Sequence, residues 1–177
     1  MVKKTKDLDL SRVLDQMIQW SFECGKILNS HLIRSYKHPL KILDKGKQGL
    51  ATEADILSEK YVMEQIRKNY PGHTILSEED AFSKSSKMES SKNLDYVWLI
   101  DPLDGTNNFY NKLPFFAVSL ALTKGNEALV GVVFNPVTCE LFYAVKGKGA
   151  YLIRLIGSEE VRVRLKTSKN KKKFNEA

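Results

Sequence analysis

An apolar run, Tyr96-Val97-Trp98-Leu99-Ile100, leads without a break into Asp101-Pro102-Leu103-Asp104-Gly105-Thr106-Asn107-Asn108-Phe109, and this transition limits the fold more than any other stretch of the 177 residues. Short β-branched and aromatic runs form buried strands, so Asp101 is delivered at a strand's carboxyl end, where open sheets bind ligands. Pro102 has a fixed φ and no N–H, so the chain is expected to leave the ladder and turn. Asp104 then folds back toward Asp101 with the Leu103 carbonyl between them. Three hard oxygen donors at one point suit Mg²⁺, which takes oxygen ligands and keeps several waters. Gly105 tolerates positive φ and lets an anion approach the backbone, while Thr106 and Asn107 offer a hydroxyl and amides where a helix can begin. The stretch reads as a metal-dependent phosphate site.

A third carboxylate is expected beside these two. His73-Thr74-Ile75-Leu76-Ser77 follows the turn signal Tyr70-Pro71-Gly72, reads as a short strand, and runs into Glu78-Glu79-Asp80, which places Glu78 next to Asp101. Carboxylates about 5 Å apart repel by roughly 3 kcal/mol per pair at an effective dielectric near 20, so such a cluster calls for a cation. The competing reading is a turn in which Asp101 and Asp104 only cap backbone amides. Glu78, Gly105 and Thr106 independently favour the site.

Around this segment the pattern is α+β, two N-terminal helices packed on a largely antiparallel sheet. From Asp9 to about Leu32, the residues Leu10, Val13, Leu14, Met17, Ile18, Ile27 and Leu28 recur at helical spacing, with Asp9 as N-cap. Thr52 opens a second helix with Asp55 in a capping-box-like position, and Ile56, Tyr61, Val62 and Ile66 form its apolar side until Asn69 to Gly72 ends it. Beyond the site, Phe116–Thr123, Ala128–Asn135, Glu140–Lys146 and Ala150–Ile156 read as strands joined by hairpin turns, and Val161–Leu165 alternates like another. Phe115 and Phe116 are assigned to the core. Ser83 to Asn93 is rich in serine and lysine, and an ordinary surface connection is favoured there over a lid.

Charge and composition narrow the classes of function. The net charge is +7, yet residues 1–145 hold 18 Lys or Arg and 18 Asp or Glu, so the surplus lies in the last strands and tail. A basic end on a neutral body, without a recognised nucleic-acid module, reads as a solvated tail, and nucleic acid is not favoured as a partner. Cys24 and Cys139 lack metal-like spacing and read as buried reduced thiols. His31, His38 and His73 have no zinc spacing, and Ser77 and Ser119 lie in no nucleophile elbow. Met1 to Ser11 has no apolar signal core and no run reaches the roughly 18 apolar residues of a membrane span, so no membrane partner is expected and the expected compartment is the cytoplasm.

Ile75-Leu76-Ser77-Glu78-Glu79 and Asp101-Pro102-Leu103-Asp104-Gly105-Thr106-Asn107-Asn108-Phe109 together resemble the inositol monophosphatase family of Mg²⁺-dependent, lithium-sensitive phosphatases. Lys45 ahead of Leu50-Ala51-Thr52-Glu53-Ala54-Asp55, Pro114 to Ser119, and Gly147-Lys148-Gly149-Ala150-Tyr151 extend the likeness. The resemblance implies the first half of a layered α/β/α/β/α fold. It implies metal binding by Glu78, Asp101, the Leu103 carbonyl and Asp104, with Asp101 bridging two ions in a site that takes two or three Mg²⁺ or accepts Mn²⁺. Substrate would be held by Glu78, Leu103, Asp104, Gly105 and Thr106, and Glu78, Asp101, Asp104 and Thr106 would carry catalysis, with water attacking phosphorus in line near Glu78 and Thr106. Asp55 and Glu79 would stand behind the ligands. For Asp55, helix capping explains the residue equally well.

The implied reaction is hydrolysis of a phosphate monoester, with inositol monophosphate the leading substrate and sugar or nucleotide phosphates as alternatives. The likeness covers residues 1–151. Residues 152–177 diverge, and no Trp-Asp pair of the kind the family uses later in its sequence is present, since neither Trp20 nor Trp98 precedes an aspartate. The resulting expectation is a chain that lacks the second half of the family fold, is weakly active or inactive alone, and forms homodimers or other self-associated species. The alternative is a metal- or phosphate-binding remnant that serves as a partner of another protein.

Overall fold

The structure is a computed structural model that describes residues 8–44, 50–77, 96–156 and 159–168. Its elements run α1 (Leu10–Ser35), β1 (Ile42–Asp44), β2 (Leu50–Thr52), α2 (Glu53–Asn69), β3 (Thr74–Ser77), β4 (Val97–Asp104), α3 (Thr106–Tyr110), β5 (Ala117–Lys124), β6 (Glu127–Asn135), β7 (Glu140–Val145), β8 (Gly149–Ile156) and β9 (Glu159–Leu165). The last seven strands form one sheet in the order β3-β4-β5-β6-β7-β8-β9, parallel between β3 and β4 and antiparallel everywhere else. The small antiparallel hairpin of β1 and β2 has no counterpart in the strand pattern of the sequence.

Both long helices begin as their caps dictate. The Asp9 carboxylate accepts from the Ser11 and Arg12 amides at 3.0 and 3.3 Å, and the Thr52 hydroxyl accepts from the Asp55 amide at 3.3 Å. Thr52 is thus the N-cap of α2, and Asp55 contributes its backbone amide to that cap. Helix α1 runs to Ser35, a turn beyond the expected Leu32, and buries Val13, Met17, Trp20, Cys24 and Leu28 against the sheet. Trp20 meets Trp98 at 5.6 Å and Phe22 meets Phe134 edge-on at 4.9 Å between ring centroids. Gly25 permits this approach, since a Cβ there would lie 2.6 Å from the Phe134 ring.

Four expectations need correction. The buried face of α2 is Ala54, Ser58, Val62 and Ile66; Val62 and Ile66 are buried as expected, but the stripe continues at four-residue spacing through Ser58 and Ala54, which leaves Ile56 outward at 39% exposure. Phe116 is buried, but Phe115 is 72% exposed, since the chain has not yet entered β5 and only the second ring of the pair reaches the core. Cys24 is fully buried, its thiol pushed up to about 12 by burial, whereas Cys139 is only half-buried in the β6–β7 turn, with φ 54°. Pro102 does not end the strand. β4 continues to Asp104 through a bulge.

Strands alternate, and here both faces are apolar. Trp98, Ile100, Leu120, Leu122, Val130, Val132, Phe134 and Leu141 point toward the helices and are buried. The opposite face carries Leu99, Val133, Phe142 and Val163, each 40–47% exposed, with Ala121, Gly131, Ala144 and Ala150 between them.

Candidate metal and phosphate site

The site grows out of the bulge. Asp101 pairs with Ser119 and Asp104 with Ala117, so three steps along β4 match two along β5, and Pro102 and Leu103 have no register partner. Residues three apart in a regular strand face opposite sides, whereas one inserted residue restores them to the same side. Ser119 and Ala117 share a face of β5, so Asp101 and Asp104 share the outer face, away from the helices. Proline is tolerated because a bulge asks no ladder hydrogen bond of it.

The same bulge takes the Leu103 peptide out of the ladder. Its amide donates to Asp101 Oδ1 at 3.2 Å, and its carbonyl accepts from Thr106 Oγ1 at 3.1 Å. One of the carbonyl's two lone pairs is used by the hydroxyl, which leaves the second for a further partner. The Leu103 side chain is buried and anchors this turn, while Asp104 is exposed.

Gly105 follows with φ 92°, and a Cβ there would lie 2.8 Å from the Phe115 carbonyl oxygen, so both backbone conformation and space demand glycine. α3 begins at Thr106 and plants Phe109 in the core, edge-on to Phe116 at 5.0 Å. Asn108 Nδ2 donates to the Phe115 carbonyl at 2.7 Å and closes the segment on itself.

Asp101 also lines an open concavity of about 370 Å³ on the outer face, with Leu76, Ser77, Leu99, Ile100, Ser119 and Ala121. Ser77 and Ser119 carry no site role in the sequence reading. The signals available were their places, directly before Glu78 and opposite Asp101. Ser77 pairs with Ile100 in the parallel register of β3 and β4. Glu78, Glu79 and Lys45 lie outside the described residues, as does the Ser83–Asn93 segment. The structure thus brings together Asp101, Leu103, Asp104, Gly105 and Thr106, while Asp55 sits in the first turn of α2.

The donor set is uniformly hard oxygen: two carboxylates on one face and a carbonyl released from the sheet. That set fits Mg²⁺ and does not fit a thiolate- or imidazole-seeking metal. No group of three or more His, Cys, Asp or Glu side chains is assembled among the described residues.

Residues 9–177 match the inositol monophosphatase family, a match that runs past Tyr151. The chain is 37% identical over 156 residues to "Nus factor SuhB" of Haemophilus influenzae, covering 88% of this chain and 53% of that protein. It is 35% identical over 143 residues to "Inositol monophosphatase 2" of Solanum lycopersicum, covering 81% and 52%. Among solved structures, the suhB protein of Bartonella henselae superposes with a TM-score of 0.63 at 31% identity, over 80% of this chain and 52% of that one. The chain spans about half the length of the curated relatives it matches. It belongs to the inositol monophosphatase family.

Proposed function

We propose that this chain carries the metal and phosphate half of a Mg²⁺-dependent phosphate monoester hydrolase, with inositol monophosphate as the leading substrate, and that the 177-residue chain alone turns over weakly or not at all. The observation that carries this reading is the bulge, which turns Asp101 and Asp104 to one face and frees the Leu103 carbonyl between them. Asp101, Asp104 and the Leu103 carbonyl would hold the metal. Glu78, the residue after Ser77, would join them from β3. Bound there, the metal supplies positive charge that offsets the build-up of negative charge on a reacting phosphate.

The residues of the chain do the rest. Gly105 takes the left-handed turn that only glycine fits and would place the start of α3 beside a phosphate, and the Thr106 hydroxyl, fixed by the Leu103 carbonyl, would sit next to it. Asp101, held by the Leu103 amide, keeps its second oxygen in place without reorganisation, which is how preorganised charge acts in phosphoryl transfer. Residues outside this chain's span of its relatives would grip the alcohol of the substrate.

The test has two arms. Mg²⁺ at about 100 times its dissociation constant should stabilise the fold by about 2.7 kcal/mol, and Asp101→Asn should abolish most of the rise in melting temperature. Any phosphate release from inositol monophosphate should require Mg²⁺ and fall by about 100-fold or more in Asp104→Asn or Glu78→Gln. Equal thermal shifts in wild type and Asp101→Asn, or metal-independent turnover, would overturn the reading. A second reading, a partner protein without turnover, is favoured by the name "Nus factor" on several relatives. It predicts the Mg²⁺ shift with no phosphate release, even when the chain is supplied within a full-length relative's context.

A further inference from the structure

The C-terminus of α1 is completed from a distance of 77 residues. A helix leaves its last four carbonyls without in-helix donors, and in α1 these belong to Leu32, Ile33, Arg34 and Ser35. Three are satisfied locally. Ser35 Oγ donates to the Leu32 carbonyl at 2.6 Å, the Tyr36 amide to Ile33 at 3.3 Å, and the Lys37 and His38 amides to Arg34 at 3.0 Å. The fourth, the Ser35 carbonyl, accepts from Lys112 Nζ at 3.0 Å. The same ammonium lies 4.9 Å from the centroid of the Tyr36 ring.

Lys112 is also one of two non-glycine residues with positive φ among the described residues, at 61°. A side chain in that conformation is costly and persists where the surroundings hold it. Here the Lys112 amide donates to the Phe109 carbonyl at 3.0 Å and closes the end of α3, while the Leu113 amide donates to the Asn108 carbonyl at 2.8 Å. The left-handed turn therefore aims the lysine stem back at α1. A cation at the negative end of a 26-residue helix is favourable, and contact with the Tyr36 face adds to it.

We propose that Lys112 is a positioning residue, which ties the segment carrying Gly105 and Thr106 to the end of α1 and so sets where a phosphate is held. This rests on the phosphate reading above. Two other hydrogen bonds that hold the segment, Asn108 to Phe115 and Asn135 to Pro114, lie within the loop or along β6, and neither reaches a helix of the core. Without Lys112, α3 would keep its Phe109 anchor but lose its tie to α1.

The experiment compares wild type with Lys112→Met, Lys112→Arg and Asn29→Ala. Methionine keeps the length and the side-chain cost of the left-handed turn while removing the charge and the donor. Asn29→Ala removes a different tie of the C-terminal half of α1, its 3.0 Å bond to the Pro136 carbonyl. Hydrogen exchange of peptides covering residues 105–116 and affinity for inorganic phosphate with Mg²⁺ are read on each. Lys112→Met should speed exchange of that segment about tenfold and weaken phosphate binding about threefold or more, with Lys112→Arg restoring both. Asn29→Ala should lower the melting temperature while leaving exchange of 105–116 and phosphate affinity near wild type.

Unchanged exchange in Lys112→Met overturns the tie. Faster exchange with wild-type phosphate affinity overturns the positioning role, as does an equal loss of affinity in Asn29→Ala. Wild type that binds no phosphate overturns the phosphate reading and this role with it, and the exchange contrast identifies that failure as the reading's own.

Discussion

The two faces of the seven-stranded sheet are built from the same strands with nearly the same apolar content, yet one is a core and the other is a surface. Toward α1, large side chains interlock, with Trp98 between Trp20 and Tyr70 and Phe134 under Phe22. Away from the helices, small residues leave the middle smooth, and Leu99, Val133, Phe142 and Val163 rise from it in the open. An antiparallel sheet that faces water normally alternates apolar with polar. This one does not, and the only ion pair between neighbouring strands on that face joins Arg154 to Glu140 among the described residues. Burial here follows from what lies across from a residue, since hydrophobicity alone does not separate the two sides.

The largest effect expected from this contrast is on stability. Trp98→Ala, on the helix side, should cost about 3–5 kcal/mol, combining lost burial with the cavity left behind. Leu99→Ala, the next residue but on the open side, should cost less than about 1 kcal/mol. Urea denaturation of both variants decides this, and equal costs would mean that the outer face is covered in solution.

Cover is the second test. Exposed apolar area of a few hundred Å² or more is unusual on a monomer and drives association. Gel filtration should show dimers or larger species for the 177-residue chain, and an environment-sensitive dye should bind the native state. Phe142→Ser with Val133→Thr should reduce both signals severalfold while leaving the fold intact. A wild-type monomer that binds no dye would break the comparison.

The smallest effect concerns the edge of the helix-covered side. His73 Nδ1 accepts from the Trp98 indole N–H at 3.0 Å, and its ring is stacked between Tyr70 and Tyr96 at 5.2 and 4.8 Å. Burial lowers the pKa of this imidazole, so the folded state resists a proton that the unfolded chain accepts near pH 6.5. Stability from this group is present above about pH 6.5 and is lost as the pH falls below it. Melting temperature should therefore decline from pH 7.5 to pH 5, modestly because the ring is partly exposed. His73→Gln, which keeps an acceptor for Trp98 but cannot titrate, should flatten that slope. An unchanged slope would separate His73 from the acid sensitivity.

Much of this was legible in the sequence because the relevant forces are local. Asp9 and Thr52 announce their helices through side-chain acceptors that act within three residues. The strands β5 to β8 follow from β-branched runs and glycine turns. The motif from Asp101 to Phe109 reads as a site because its donor chemistry is contiguous. What the sequence hid depends on register or distance. The bulge arises from the pairing of β4 with β5, whose partners lie more than a dozen residues apart, so the sequence around Pro102 shows only a residue that cannot join a ladder. The exposure of Ile56 and Phe115 depends on where α1 and β5 lie, and the Lys112 tie spans 77 residues with no local signature.

The bulge has one further consequence, for how the motif can vary. A plain Asp-x-Asp in an unbroken strand would also turn two carboxylates to one face, because residues two apart share a side. The extra residue is thus unnecessary for pairing acids. Its contribution is a residue with no register partner on β5, whose carbonyl is held by Thr106 and whose amide is held by Asp101. A chain shortened by one residue between Asp101 and Asp104 could keep its sheet and both acids, and it would return that carbonyl to the ladder. The length of the motif, as much as its composition, is therefore part of its chemistry.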